Sequence, residues 1–119
     1  MKETIKVVGG GLAGCEAAYQ LLKRGYAVDM IEMRPVKGTG AHKTSDLAEL
    51  VCSNSLKSTD EETASGLLKA EMKLMDSLLL NLAEEAKVEA GGALAVDRKK
   101  FSRLVEEKLN SFENFRLIR

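Results

Sequence analysis

The sequence predicts an α/β domain of the Rossmann-like class, in which helices flank a parallel sheet. Three observations lead to this class: a glycine-rich turn between an apolar and an amphipathic stretch, a second apolar stretch that ends in an acid, and later helical stretches that alternate with short strand-like ones. Of the 119 residues 45% are apolar, and the 18 basic side chains balance the 18 acidic ones. This composition excludes a disordered or fibrous chain.

The first β-α-β unit occupies the N-terminal third of the chain. Residues 5–9 predict a short apolar strand, and residues 12–24 predict a helix in which small and apolar residues recur at helical spacing. Gly25 is a typical helix terminator, residues 27–32 predict the second strand, and Pro35 ends it. The small side chains of the helix allow it to pack closely on the sheet.

The middle of the chain, about residues 36–96, is predicted as a loop and helix segment inserted into the domain. Residues 36–45 predict a loop, residues 46–51 a helical turn, and residues 64–87 one long helix. Two alternative capping boxes precede this helix, Ser58 with Glu61 and Thr59 with Glu62. Its predicted core stripe is Leu67, Leu74, Leu78 and Leu82.

The last third predicts one more helix and one more strand. Asp97 follows a loop at residues 89–93 and is expected to cap a helix. The side chains that this helix is expected to bury are Phe101, Leu104, Val105 and Leu109. Residues 114–119 predict a strand with no turn after it. We therefore expect a fragment whose Rossmann-like sheet is incomplete at the C-terminus, because three short strands give only a thin core.

The most specific motif is Gly9-x-Gly11-x-x-Gly14, with Glu32 at the end of the next strand. In a dinucleotide-binding turn the first glycine permits the tight turn, the second lets the backbone approach a pyrophosphate, and the third lets helix and strand pack. The Glu32 carboxylate would accept a hydrogen bond from a ribose hydroxyl. Arg34 is a residue type that meets a 2′-phosphate, but Glu32 would repel that phosphate, which favours a free ribose. The alternative is a glycine-rich turn without a ligand.

The two cysteines are predicted to be free thiols. Cys52 lies in a polar loop, where a thiol is either exposed and reactive or a small buried side chain, and composition favours the buried alternative. Cys15 follows the third glycine and is expected to be structural. Gly91-Gly92 fits either a loop that lets a phosphate or ring approach or a simple turn.

Several function classes are excluded by what the sequence lacks. His42 is the only histidine, so no His-rich metal site and no Ser-His-Asp triad can form here, and we predict no metal. The basic residues form no long run, so the sequence has no electrostatic footprint for nucleic acid. No apolar run reaches the roughly 20 residues of a membrane helix, and no signal peptide is recognisable. We expect a cytoplasmic protein.

Five motifs in order resemble one family closely: VVGGGLAGCEAAYQLLKRG, VDMIEMRPVKGTGAH, AELVCSNSL, GLLKAEM and AGGALAVDRKKF. The family is the folate- and FAD-dependent tRNA (uracil-5-)-methyltransferases, TrmFO, and the resemblance runs from about Ile5 to Arg119. The nearest rival is the related family of wobble-uridine modifying flavoproteins called glucose-inhibited division protein A. The triple glycine and Cys15 fit that rival, whereas EMRP and VCSNS favour the methyltransferases.

The resemblance implies an activity: the methylene carbon of methylenetetrahydrofolate is transferred to C5 of a T-loop uridine in tRNA, while FAD and NAD(P)H supply reducing equivalents. It further implies that Cys52 acts beside the flavin, and that a second catalytic cysteine lies beyond Arg119. By resemblance the residues that hold or support FAD are Gly9, Gly10, Gly11, Leu12, Ala13, Gly14, Glu32, Met33, Arg34, Gly91, Gly92, Asp97 and Arg98.

The family is longer than this chain, so the resemblance implies an N-terminal piece of an FAD-binding domain that is inactive by itself and binds FAD poorly. Two other functions fit the glycine motif, that of a generic FAD or NAD oxidoreductase and that of a non-catalytic nucleotide-binding module. The sequence leaves the oligomeric state, the tRNA surface and the choice between NADH and NADPH open.

Overall fold

The elements follow from a computed structural model that describes residues 3–119. Over this range the chain forms six strands and four helices. The strands are β1 (Thr4–Val8), β2 (Ala27–Ile31), β3 (Ser55–Ser58), β4 (Lys87–Val88), β5 (Ala93–Val96) and β6 (Phe115–Ile118). The helices are α1 (Leu12–Leu22), α2 (Ala64–Leu74), α3 (Leu78–Glu85) and α4 (Arg98–Asn110).

The larger sheet is parallel and has the strand order β1-β2-β6. Val8 pairs with Ile31 at the carboxyl ends of β1 and β2, so the glycine turn after β1 and the acid after β2 begin at the same edge. Val28 and Met30 on the central strand are fully buried. The predicted Rossmann-like class, the first β-α-β unit and the final strand are confirmed.

A second sheet lies within the segment that was predicted as loop and helix. It is antiparallel, with the order β3-β5-β4, and a register shift interrupts β3 between Ser55 and Ser58. The sequence did not predict these strands, because they are two to four residues long and too short for a recognisable alternation of polar and apolar residues. The predicted helical turn at 46–51 is also absent: only residues 47–48 form a turn.

The prediction of one helix over 64–87 is wrong, because the chain breaks after Leu74 into α2 and α3. At the break Asp76 has a positive φ of 57°, and the Ser77 hydroxyl accepts a hydrogen bond from the Leu80 N–H as the N-cap of α3. The cap of α2 is Thr63 rather than either predicted capping box. The predicted core stripe fails with the helix: Leu67 and Leu74 are exposed, Leu78 is buried and Leu82 is only partly buried.

The core lies between the parallel sheet and the helices α1, α3 and α4, and it includes the buried faces of β5. Asp97 caps α4 by accepting a hydrogen bond from the Lys100 N–H at 3.1 Å, as predicted. The side chains Phe101, Val105 and Leu109 are fully buried, whereas Leu104 packs against the core from a partly buried position. Within residues 3–119 no helix is long and apolar enough to cross a bilayer.

Candidate functional site

The glycine turn links the end of β1 to the start of α1, and the steric environment differs from one glycine to the next. Gly9 has a φ of 104°, which side chains disfavour, and its N–H donates to the Ile31 carbonyl at 2.8 Å. A Cβ at Gly14 would overlap the Gly9 carbonyl oxygen, and one at Gly10 would meet Leu47 Cδ2 at 2.5 Å. A Cβ at Gly11, in contrast, would meet nothing within 4 Å. Gly9 likewise leaves open space, so Gly11 is the glycine of the turn that combines open space with an ordinary negative φ of −81°.

Gly11 is also the N-cap residue of α1, and no side chain caps the helix there. The first N–H groups of a helix have no partner within the helix and carry its positive dipole end. Leu12 and Ala13 occupy the first turn. Backbone donors, a positive end and open space at Gly11 together form a place where a phosphate fits.

Glu32 lies directly beside this turn and is 4% exposed. One carboxylate oxygen accepts a hydrogen bond from the Gly10 N–H at 2.8 Å. The other accepts from the Arg34 N–H at 2.9 Å and from Arg34 Nε at 2.8 Å. The acid that the motif predicted is thus held in one orientation by the turn and by the arginine two residues later.

These hydrogen bonds set the charge of Glu32. Burial by itself raises the pKa of this carboxyl, but the hydrogen bonds from the Arg34 side chain and backbone and from Gly10 outweigh burial and lower the pKa to about 2. Glu32 is therefore ionised at neutral pH. An ionised carboxylate attracts ribose hydroxyls and repels a 2′-phosphate, which agrees with the preference drawn from the sequence.

Arg34 is buried and makes its contacts within the protein. Its Nη1 donates to Glu49 Oε1 at 2.8 Å and to the Thr44 carbonyl at 3.0 Å, and its Nη2 donates to the Asp46 carbonyl at 3.1 Å. The arginine therefore ties the loop after β2 to Glu32. Sequence reasoning placed Arg34 at the cofactor without detecting this structural role, because nothing in the local pattern marks Glu49 as its partner.

A hollow of about 330 Å³ opens where the glycine turn meets the end of β2. Its lining residues are Val8, Gly9, Gly10, Gly11, Ile31, Glu32, Met33, Arg34 and His42. Met33 is 47% exposed beside Glu32, so an apolar side chain borders the acid. His42 enters the same hollow from the following loop, where its Nδ1 lies 2.7 Å from the Thr39 hydroxyl. The structure thus brings six of the predicted residues of the first β-α-β unit to one hollow, whereas Leu12, Ala13 and Gly14 do not line it; the six are Gly9, Gly10, Gly11, Glu32, Met33 and Arg34.

Cys52 is exposed, so the buried alternative that composition favoured is wrong. Its loop is attached on both sides to the segment that starts α4. The Leu50 carbonyl accepts a hydrogen bond from Arg98 Nη1 at 3.1 Å, and the Asn54 carbonyl accepts one from the Val96 N–H at 2.9 Å. Two anchors of this kind hold an accessible thiol at a fixed place on the surface.

Cys15 behaves in the opposite way and is fully buried. Burial raises the pKa of its thiol to about 12, and its Sγ donates to the Gly10 carbonyl at 3.4 Å. A thiol this far from ionisation is a poor nucleophile. The expectation that Cys15 is structural agrees with this environment.

The remaining predicted residues lie away from the hollow. Gly91 and Gly92 form the exposed turn between β4 and β5, where the Gly92 carbonyl accepts a hydrogen bond from the Thr59 N–H at 3.1 Å. Asp97 caps the start of α4, and Arg98 next to it supports the Cys52 loop through the Leu50 carbonyl rather than the glycine turn. Among residues 3–119 no group of His, Cys, Asp and Glu forms a metal site.

Sequence reasoning did not detect a larger, mostly apolar hollow of about 600 Å³ between α1 and α2. Leu12 and Ala13 reach it from α1, and Lys69, 8% exposed, lies at its border. The Lys69 ammonium donates to the Ser58 and Ser65 carbonyls, and burial lowers its pKa. Only the packing of distant elements creates this hollow, so no local signal in the sequence indicates it.

A glycine turn at the carboxyl end of one parallel strand and an ionised acid at the end of the next are the arrangement of Rossmann-like dinucleotide-binding domains. The sequence profile of the family described as glucose inhibited division protein A matches residues 4–119. The chain belongs to this family.

Individual relatives carry the TrmFO name that the sequence motifs indicated. The chain is 56% identical over 114 residues to "Methylenetetrahydrofolate--tRNA-(uracil-5-)-methyltransferase TrmFO" of Natranaerobius thermophilus, which covers 96% of this chain and 26% of the relative. It is 63% identical over 107 residues to the protein of the same name from Dictyoglomus thermophilum, with coverage of 90% and 24%. The chain thus spans about a quarter of the length of these relatives.

One solved structure supports the fold. The crystal structure of CtdE in complex with FAD and substrate 4 superposes with a TM-score of 0.51 at 17% identity, over 98% of this chain and 30% of that one. At this identity the likeness concerns the fold alone. It agrees with the Rossmann-like class.

Proposed function

We propose that this chain is the FAD-binding N-terminal part of a tRNA (uracil-5-)-methyltransferase that takes its carbon from methylenetetrahydrofolate. The observation that carries the proposal is the 56% identity to a TrmFO protein over 96% of the chain. The exposed, doubly anchored Cys52 supports it, because methylation at C5 of uracil needs a nucleophile that can reach the base. The glucose-inhibited division protein A name covers the family as a whole, and a wobble-uridine modifying activity is the alternative.

The glycine turn fits the adenosine diphosphate half of FAD. The pyrophosphate would lie over Gly11, where the backbone leaves open space, against the N–H groups of Leu12 and Ala13. The ionised Glu32 would accept hydrogen bonds from the ribose hydroxyls, and the apolar side chain of Met33 would cover the adenine. Arg34 would act as a positioning residue, because it holds Glu32 and is itself buried.

In this proposal Cys52 acts on the uracil ring. Its thiol loses a proton, and the Sγ forms a bond to C6 while the C5–C6 π electrons move onto C5 and the O4 carbonyl. C5 then attacks the donated methylene carbon. The C5 proton is lost, and the bond from this carbon to the folate nitrogen breaks with its electron pair left on the nitrogen. Addition of a hydride equivalent makes the carbon a methyl group, and the electron pair released onto C5 expels Sγ from C6, which restores the uracil ring and the thiolate. When bound, FAD supplies the redox chemistry that reduces the carbon from methylene to methyl, and NAD(P)H would be the external reductant.

Gly91, Gly92, Asp97 and Arg98 would support the flavin site indirectly. Arg98 contributes through the Leu50 carbonyl and so through the position of Cys52. Gly91 has a φ of 62°, which glycine adopts without strain, and this shapes the β4–β5 turn. The proposal places the reaction in the cytoplasm with tRNA as the substrate.

The test uses the full-length protein that carries this chain. We expect flavin absorbance in the purified protein and transfer of labelled carbon from methylenetetrahydrofolate to tRNA that lacks 5-methyluridine. Cys52→Ala should abolish transfer while the protein stays folded and keeps its flavin. A colourless protein that FAD cannot reconstitute contradicts the proposal, and substrate-dependent flavin reduction that needs no tRNA would favour a generic oxidoreductase. Full activity in the Cys52→Ala variant would contradict the assigned nucleophile.

A further inference from the structure

A third hollow, of about 300 Å³, lies between the loop after β2, which leads to Cys52, and the start of α4. Its lining residues are Lys43, Thr44, Asp46, Glu49, Leu50, Arg98, Lys99 and Ser102. Three cations thus come together from two segments that are more than fifty residues apart. We call Lys43, Arg98 and Lys99 the basic rim.

The basic rim carries positive charge that the protein itself leaves available. Within residues 3–119 none of its three cations forms an ion pair with a carboxylate. Glu49, one of the two acids in the hollow, is already paired with Arg34 at 2.8 Å. In the described part of the chain Asp46 is then the one lining acid without an ion pair, and its negative charge partly offsets the positive charge of the rim. The N-terminal end of α4 is capped by the Asp97 carboxylate, so the positive charge of the rim comes from its three side chains and not from the helix dipole.

The basic rim is connected directly to the reactive thiol. Arg98 Nη1 donates to the Leu50 carbonyl, two residues before Cys52, and Leu50 itself lines the hollow. On the other side of Cys52 the Asn54 carbonyl accepts a hydrogen bond from the Val96 N–H. The segment from Val96 to Lys99 therefore both anchors the Cys52 loop and contributes two cations to the basic rim. The hollow and the thiol thus share one loop, so a polyanion that presents a base to Cys52 can place its neighbouring phosphates on these cations.

We propose that the basic rim binds the phosphates that flank the target base of the RNA substrate. This inference rests on the proposed function, and it names the surface through which that function would engage RNA. Lys43 and Lys99 are exposed and contact phosphate directly, while Arg98 divides its guanidinium between the Leu50 carbonyl and the ligand. Phosphate contacts of this kind fix register and orientation, and the base contacts then select the uridine.

The experiment measures the binding of an unmodified tRNA transcript to the full-length protein at 50, 100 and 200 mM KCl. Only the salt concentration and the substituted side chain differ between measurements. One phosphate contact contributes roughly 0.7 to 0.9 to the slope of log K against log salt, which is roughly a five- to eightfold effect at 0.1 M salt. We expect Lys43→Gln and Lys99→Gln each to weaken binding by about that factor and to flatten the slope by about one contact.

Asp46→Asn provides a test of opposite sign, because it removes the acid that opposes the rim without changing side-chain shape. We expect it to tighten binding by about twofold or more. Lys108→Gln is the matched control: it removes the same charge from the last turn of α4, roughly 13 Å from Lys99 at 1.5 Å per residue, and should leave binding unchanged. Flavin content and thermal unfolding are measured for every variant to confirm that each is folded.

The outcomes separate this inference from the proposed function. If Lys43→Gln and Lys99→Gln bind RNA with wild-type affinity and salt slope while the wild type transfers carbon, the basic rim is not the RNA surface and the proposed function stands. If the wild type transfers no carbon but its RNA binding depends on both lysines, the rim is supported and the proposed function is wrong. A wild type that binds no RNA overturns the inference.

Discussion

The glycine turn with Glu32 and the Cys52 loop are built on opposite principles. In the first region every polar side chain is buried and held: Glu32 is 4% exposed and Arg34 is 3% exposed, and both are joined to backbone and side-chain partners. In the second region Cys52 is exposed, and the surrounding strands are only two to four residues long. The comparison teaches that the glycine turn and Glu32 are fixed by buried contacts, whereas the thiol is fixed by two backbone anchors at the surface.

We therefore expect substitutions in the first region to lower the free energy of unfolding much more than substitutions in the second region. The largest effect is expected from Arg34→Met, which leaves Glu32 buried without its charged partner. Breaking a buried ion pair from one side costs about 3 to 5 kcal/mol of unfolding free energy. Denaturant unfolding of the variant checks this. Arg116→Met is the control, because Arg116 pairs with Asp29 from a 69% exposed position and should change stability little. A wild-type midpoint for Arg34→Met would contradict the comparison.

Next in size is Gly14→Ala, since the added Cβ would overlap the Gly9 carbonyl oxygen and force the turn apart. Overpacking against backbone costs about 3 kcal/mol. The matched variant is Gly11→Ala, whose Cβ enters open space and should leave stability nearly unchanged while it weakens nucleotide binding. Urea unfolding and a cofactor titration on both proteins separate the two effects. Equal stability losses at the two positions would show that the open space at Gly11 is not real.

The acid dependence of stability should also come mainly from the first region. The pKa of Glu32 is lowered in the folded state to about 2 from an ordinary value of 4.5, so its contribution is present above about pH 4.5 and is lost as the pH falls towards 2. The loss is on the order of 3 kcal/mol. Unfolding free energies measured between pH 7 and 2 should fall over this window, and the fall should be shallower in Glu32→Gln. Parallel curves for the two proteins would contradict the assignment.

The smallest structural effect is expected in the second region. Cys52→Ala should change the unfolding free energy by less than about 0.5 kcal/mol, because an exposed side chain leaves no cavity. Cys15→Ala should cost more, since its side chain is fully buried against Gly10. Thiol alkylation under native conditions should modify Cys52 first and Cys15 only after unfolding. Rapid labelling of both would remove the distinction between the two thiols.

Local patterns in the sequence were sufficient to predict the first region, the glycine turn with Glu32. The glycine spacing, the acid after the second strand and the Asp97 cap each depend on neighbours within a few residues, and the structure has the corresponding turn, strand end and helix start. Helix α4 buries three of its four predicted core residues for the same reason. The break between α2 and α3 was missed because contacts with a distant element help to fix it. Asp76 accepts hydrogen bonds from Tyr19 on α1 and from Lys23 directly after α1, and Glu16 of α1 accepts from the Leu78 N–H.

By itself the sequence therefore determined the fold class, the parallel β-α-β unit and the glycine turn with an acid at the end of the next strand, because glycine sterics and strand alternation act over short distances. The tertiary structure alone decided that Arg34 supports Glu32 instead of facing a ligand, that Cys52 is exposed, and that Lys43 lies across a hollow from Lys99. Arg34 and Glu32 are only two residues apart, but the partner Glu49 that orients Arg34, the anchor of the Cys52 loop on Arg98 and the approach of Lys43 to Lys99 all join segments farther apart in the chain. Their geometry depends on how the second sheet and α4 pack, and no short pattern of residues encodes that packing.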